Sequence, residues 1–145
     1  MEVVTKADAM RRQLDAAIKL WFDDGDAVAI HTLASASHEI LHTLFKRRGF
    51  KGLLFDSPII KKENQQRWAS ELKEHANFFK HARGDIEGKI RFNPRSNDLL
   101  LAFMIYGLTL MDEPLNIEEL AFMNWIVINR PDVLIEGAYD ISGGT

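Results

Sequence analysis

In the run His31-Thr-Leu-Ala-Ser-Ala-Ser-His-Glu-Ile-Leu-His42, small and helix-compatible residues predominate, and neither Gly nor Pro interrupts them. The run carries three of the five histidines of the chain. At 3.6 residues per turn, positions 31, 38 and 42 fall within roughly 40° of one another on a helix. The run therefore predicts a helix with one stripe of histidines along its side.

This helix is expected over about 27–47, with Asp26 as its N-cap and cations, then Gly49, at its end. Its apolar face would consist of Ile30, Leu33, Ala34, Ser37, Leu41 and Leu44. The histidine stripe lies roughly 100° from the centre of that face, and Glu39 lies nearly opposite it. We expect the stripe at the seam between core and solvent, or against a neighbouring helix.

The rest of the chain reads as helices joined by short connections. Hydrophobic periodicity predicts further helices over 5–22, 58–82 and 98–111 and from Asn116 to about 129. Ser57-Pro58 would begin the third, and Asn116 with Glu119 has the layout of a capping box for the fifth. Residues 85–97 are expected to be irregular or briefly extended, and about 141–145 disordered. The sequence predicts an all-α, single-domain bundle of about five helices over 1–145.

Composition narrows the function classes. The chain has 145 residues, a formal net charge of −3 and no Cys. There is no basic excess that would indicate DNA or RNA as a partner, and no thiol for disulfide or thiolate chemistry. The first residues lack the pattern of a signal peptide, and the longest apolar run, Leu99 to Tyr106, is far shorter than a membrane span. We expect a soluble, cytoplasmic protein without a membrane partner.

His38-Glu-x-x-His42 has the pattern of zinc proteases. Two histidines four residues apart on a helix can share zinc or another divalent metal, with Glu39 as general base. His75, within an apolar stripe on another helix, is the candidate third ligand. The alternatives are a chance pattern and, for His75, a hydrogen-bonded core residue. His31 lies about 10 Å along the axis from His38, too far to share this metal easily.

A second constellation is His75-Ala-Asn-Phe-Phe-Lys-His81. Asn77 and His81 are four residues apart and share a helix face with Glu74. One hypothesis makes His81 a general base beside cationic Lys80. The alternative is the solvated polar side of a helix end.

Two resemblances rest on these segments. His31-Thr-Leu-Ala-Ser-Ala-Ser-His-Glu-Ile-Leu and Asn77-Phe-Phe-Lys-His-Ala82 resemble a family of small, uncharacterised bacterial proteins, which implies no particular activity. Asn77-x-x-x-His81 is similar to the tail of the Arg-x4-6-His motif of HEPN domains, which are small helical bundles, often dimeric, and many of them RNases. The motif's arginine would fall near Ala76, whereas the nearest preceding arginine is Arg67. The second resemblance implies an RNase using His81, or an inactive toxin–antitoxin module.

From the sequence we predict a ligand- or partner-binding bundle, with His31, Asn77 and Lys80 as ligand-binding candidates. A homodimer or protein partner would use the apolar loop residues Phe50, Leu53, Leu54 and Phe55. The metal-binding or metal-dependent hydrolase hypothesis and the HEPN-like hypothesis stand as alternatives, with Glu39 and His81 as their candidate catalytic residues.

Overall fold

The computed structural model describes residues 1–51 and 62–131. These residues form five helices and no strand. The helices are α1 (Lys6–Phe22), α2 (Ala27–Arg47), α3 (Lys62–Lys80), α4 (Ser96–Leu110) and α5 (Ile117–Asn129). The prediction of an all-α bundle is confirmed. None of these helices combines the length and the apolar character that crossing a membrane requires.

The predicted helix starts are set by side-chain caps. Asp26 accepts hydrogen bonds from the backbone N–H groups of Val28 and Ala29, and so caps α2 as expected. Asn116 and Glu119 form the predicted capping box of α5. These local bonds satisfy backbone donors that have no partner within the helix. They explain why the sequence located these two ends correctly.

Other boundaries differ from the prediction. Helix α3 ends at Lys80 rather than at 82, and its predicted start at Ser57-Pro58 lies outside the described residues. Helix α4 begins at Ser96, two residues before the expected Asp98, because an Asn93 turn leads directly into it. The connection over 81–95 consists of turns and irregular chain, with Gly84 at a φ of 88°. The short extended piece expected there does not form a strand.

Helix α4 lies at the centre of the core, as its apolar sequence predicts. Eleven of its residues are buried, among them Leu101, Met104 and Ile105. It packs against α2 and α5, while α1 packs against α2 and α5. Among the described elements, α3 has extensive contacts with α2 alone. The fold is therefore a four-helix core with α3 attached along one side of α2.

Two ion pairs inside the bundle were not predicted. Arg11 on α1 donates to both carboxylate oxygens of Glu119, at 2.6 and 2.8 Å, and Glu119 is completely buried. Arg130 and the Nε1 of Trp21 both donate to Asp98, at 2.5 and 2.8 Å. These contacts join α1 to α5, and the start of α4 to the end of α5.

Part of the apolar loop after α2 is described. Phe50 packs its ring 5.1 Å from that of Phe45 and is 37% exposed. It therefore folds back on the core, as expected for the loop. Leu53, Leu54 and Phe55, the other residues predicted to form an interface there, lie outside the described residues.

Candidate functional site

A groove of about 110 Å³ lies between α2 and α3. Its lining residues come mainly from these two helices, with one from α4. They are Thr32, Ser35, Ala36, His38 and Glu39 of α2, Leu72, Lys73, Ala76, Asn77 and Lys80 of α3, and Leu100 of α4. We call this site the α2–α3 groove.

Small side chains create the α2–α3 groove. On α2, Ser35 and Ala36 lie three and four residues after Thr32, so that both are its neighbours on one face of the helix. On α3, Ala76 lines the groove as well. Short side chains on facing helices leave a space that Leu or Met would fill. Leu100, which is 1% exposed, supplies an apolar floor from α4.

The rim of the groove is polar and carries charges of both signs. Lys73 and Lys80 are seven residues apart on α3, which places them on the same face, and Asn77 lies between them and is exposed. Glu39 on α2 is exposed, as the sequence predicted. The α3 side therefore carries two cations and an amide, whereas the α2 side carries one carboxylate.

His38 forms part of the groove wall but is only 2% exposed. Its ring is nearly parallel to that of His42, at an angle of 16° and with ring centroids 5.7 Å apart. Burial, followed by the charges of His42 and Lys73, lowers the pKa of His38 to about 3. His38 is therefore a neutral imidazole at physiological pH.

His31 connects three helices. Its Nδ1 donates to the side-chain oxygen of Asn97, because the amide nitrogen of Asn97 donates to the carbonyl of Ala27. Its Nε2 lies 3.3 Å from the carbonyl oxygen of Leu72. Burial lowers the pKa of His31, although both hydrogen-bond partners favour the charged ring. His31 is completely buried, and both ring nitrogens face protein atoms.

His75 belongs to a cluster of four aromatic rings with His31, Phe79 and Phe92, whose centroids are 5.1–6.3 Å apart. Its Nε2 donates to the carbonyl oxygen of Arg91 at 2.9 Å, while its buried Nδ1 has no hydrogen-bond partner among the described residues. The cluster holds the chain at 91–92 against α3. This arrangement agrees with the interpretation of His75 as a hydrogen-bonded packing residue.

The groove brings together four of the predicted site residues: His38, Glu39, Asn77 and Lys80. His31 and His75 lie in the ring cluster instead. His81 is exposed and lines a different, open depression together with Phe78, Lys80 and Asp85. The two candidate catalytic residues, Glu39 and His81, therefore line separate depressions. The Asn77–His81 pair of the HEPN-like motif is likewise divided between them.

The candidate metal ligands are also divided. His38 and His42 stack on one side of α2, whereas His75 makes its ring contacts with His31, Phe79 and Phe92. Within residues 1–51 and 62–131, no three His, Cys, Asp or Glu side chains are grouped so that they could hold a metal ion.

Four residues of the groove were not predicted from the sequence: Lys73 and the small residues Ser35, Ala36 and Ala76. The available signal was the spacing of Thr32, Ser35, Ala36 and Glu39, a helix face made of short side chains with a charge at its end. The sequence does not show whether such a face lines a groove or packs closely against another helix, because small residues occur in both places.

Comparisons with protein-family models, with curated proteins and with solved structures find no match to this chain. The resemblances to a family of small bacterial proteins and to HEPN domains stay predictions. The chemistry of the α2–α3 groove is therefore the basis for a functional proposal.

Proposed function

We propose that this protein is a binding module for a small monocarboxylate with a short apolar body, held in the α2–α3 groove. The observation that carries the proposal is the combination of a small apolar recess with two lysines and an asparagine on one rim. An apolar recess with a small number of polar groups around it is typical of small-molecule sites.

The size of the groove limits the ligand. An engineered apolar cavity of about 150 Å³ in another protein accepts benzene, and the groove measures about 110 Å³. A four-carbon chain with one carboxylate fits this scale, whereas a nucleotide does not. Leu72, Leu100 and the alanines would contact the chain of the ligand.

The charges orient the ligand. Lys80 and Asn77 can donate hydrogen bonds to a carboxylate, and bonds to a charged group are about twice as strong as neutral ones. Lys73 adds positive potential on the same side. Glu39, on the opposite rim, repels a second anionic group. The site should therefore prefer a monocarboxylate to a neutral amide and to a dicarboxylate.

The experiment is an NMR titration of the full chain with butyrate, butyramide and succinate. Butyrate should bind most tightly, and Ala76→Leu should abolish binding because the larger side chain fills the recess. Ala7→Leu makes the same change at an exposed position of α1 and should bind as the wild type does. Lys80→Ala should lose about 3- to 10-fold in affinity for butyrate but little for butyramide. The control Lys19→Ala should bind both probes as the wild type does.

Three results would contradict the proposal. One is the absence of any saturable shift with the three probes. Another is equal binding by wild type and Ala76→Leu, which would place the probe elsewhere. The third is tighter binding of succinate than of butyrate, which would overturn the monocarboxylate preference assigned to Glu39 and the lysines.

The alternative hypotheses have separate tests. Metal bound at about one equivalent per chain, and lost in a His38→Ala/His42→Ala variant, would support a metalloprotein. RNA cleavage that disappears in His81→Ala would support the HEPN-like hypothesis. Neither readout depends on butyrate binding.

A further inference from the structure

Helix α5 presents an apolar stripe to solvent. Ile117 is 79% exposed, Leu120 50%, Val127 57% and Ile128 75%. Ala121 and Asn124 are exposed on the same side. We call these six residues the α5 stripe; none of them is charged.

The α5 stripe follows the spacing of a helix-pairing seam. Positions 117, 120, 124 and 127 are separated by three, four and three residues, as in the a and d positions of heptads. The other face of α5 is already used, since Phe122 and Ile126 are completely buried in the bundle. Helix α5 therefore has one apolar face in the core and a second one outside it.

We propose that the α5 stripe is a dimerisation surface, and that its partner is α5 of a second copy of this chain. This inference is independent of the proposed function, because none of the stripe residues lines the α2–α3 groove. The two copies would be related by a twofold axis that passes near Ala121 and Asn124.

Asn124 indicates a second copy rather than an unrelated partner. It is the polar residue of the stripe, and a single Asn within an apolar helix-pairing seam can specify register and oligomeric state. Its side-chain amide has both a donor and an acceptor. In a twofold dimer the same amide from the partner lies close to the axis and can supply the complementary groups.

The area agrees with a weak dimer. Full burial of an aliphatic side chain removes on the order of 100 Å² of apolar surface, so the four exposed aliphatic residues would bury roughly 250 Å² per copy. Two copies would thus bury roughly 500 Å² of apolar surface, and because about 60% of an interface is apolar, the total is roughly 800–900 Å², in the range of weak, transient interfaces. We therefore expect reversible association with a Kd of roughly micromolar order.

Sedimentation of the full chain over a range of concentrations tests the proposal. The mass should rise from 16.6 kDa towards twice that value as concentration increases. Leu120→Asp should weaken association at least about 10-fold, because it buries a carboxylate in the seam. An acid in the first turn is favourable for the helix itself, so α5 should stay folded by circular dichroism. Val28→Asp, at an exposed aliphatic residue of α2, is the matched control and should dimerise.

A second variant tests the geometry. Because the chain has no cysteine, Ala121→Cys introduces a single thiol near the expected axis. Mild oxidation should give a covalent dimer much faster than with Ala7→Cys on α1. Equal rates would overturn the assignment of the surface.

Three sedimentation results would also overturn the proposal. The first is a wild type that stays at 16.6 kDa up to millimolar concentration. The second is a Leu120→Asp variant that associates as the wild type does. The third is a monomer that dimerises only after residues 132–145 are deleted, which would mean that the chain covers its own stripe.

Discussion

The two sides of α2 differ sharply. The side facing α1 carries Ile30, Ala34 and Leu41, all buried, and makes the most extensive helix contact of the described fold. There Ser37 donates a hydrogen bond of 2.7 Å to the carbonyl of Met10. The side facing α3 carries histidines, small residues and a groove. One helix thus supplies both the core and the candidate site, and the site lies where packing is incomplete.

The difference between the two sides of α2 has a physical reason. Aliphatic side chains fill the space between α1 and α2, so truncating one of them leaves a closed cavity. On the α3 side, hydrogen-bonded rings hold the helices together while short side chains leave an open recess. Changes at the two sides should therefore differ in cost and in their dependence on pH.

The largest effect should come from truncating the core side. Leu14→Ala should lower the free energy of unfolding by about 4 kcal/mol, because Leu14 is completely buried and the cavity cannot collapse. Leu72→Ala, at the groove, should cost about 2 kcal/mol, since water can enter the space. Urea unfolding of both variants measures the difference. Equal costs would remove the distinction between the two sides.

The buried ion pair should have the next largest effect. Arg11→Met leaves the Glu119 carboxylate buried without its cation, which should cost about 3–4 kcal/mol at pH 7. Burial already raises the pKa of Glu119, against the opposing effect of Arg11. A raised pKa means that the folded state binds a proton more readily than the unfolded state.

The loss of unfolding free energy in Arg11→Met, relative to the wild type, should therefore shrink as the pH falls from 7 towards 5. The reason is that the carboxyl of Glu119 becomes neutral in the folded variant. Unfolding measurements at several pH values give this slope. Arg12→Met changes an exposed arginine of the same helix and should cost less than about 1 kcal/mol. A deficit that does not depend on pH would contradict the explanation.

The histidine side should give the fold its acid sensitivity. Because burial lowers the pKa of His38 to about 3, the unfolded chain binds a proton at this residue at a higher pH than the folded chain does. The contribution of neutral, buried His38 to the free energy of unfolding is complete above pH 6.5 and is lost as the pH falls towards 3. Between pH 7 and pH 4 this loss amounts to about 3 kcal/mol.

His38→Leu should therefore flatten the dependence of the unfolding free energy on pH over this range, whatever its cost at pH 7. His81→Leu, at an exposed histidine, should leave the wild-type slope unchanged. A steep slope that persists in His38→Leu would mean that His38 titrates normally in the folded protein.

The smallest effect should separate the two histidines of the ring cluster. His75→Phe keeps a ring and loses the bond to Arg91, which should cost about 1 kcal/mol or less. His31→Phe leaves the buried oxygen of Asn97 without its donor and should cost about 2 kcal/mol. Thermal unfolding of the two variants measures this order. The reverse order would contradict the role of His31 as the connector of the three helices.

The sequence predicted those features that depend on neighbouring residues. Asp26 and Asn116 bond to backbone groups two or three residues away, so their capping roles can be read without knowing the fold. Apolar residues cover every side of α4, and a helix of this kind lies at the centre of a bundle. Asp98, expected at its start, lies inside its first turn instead, where it bonds to Trp21 and Arg130, which are distant in sequence.

Features that depend on which helix lies opposite were harder to predict. The histidine stripe was expected either at the seam between core and solvent or against a neighbouring helix, and the sequence did not decide between the two. Helix α3 packs against α2 there, and His31 and His38 are buried. In α5, apolar residues occur on all sides, so periodicity does not show which of them face the core. Leu120 and Val127 are exposed, whereas Phe122 and Ile126 are buried.

In the proposed complex, the α2–α3 groove holds the apolar body of a small carboxylate. The most direct test is a search for intermolecular nuclear Overhauser effects between the methyl group of bound butyrate and the methyl groups of the protein. We expect contacts to the methyls of Ala36 and Ala76, on the two sides of the groove. Contacts confined to other methyl groups, or none at saturating butyrate, would contradict the proposed site.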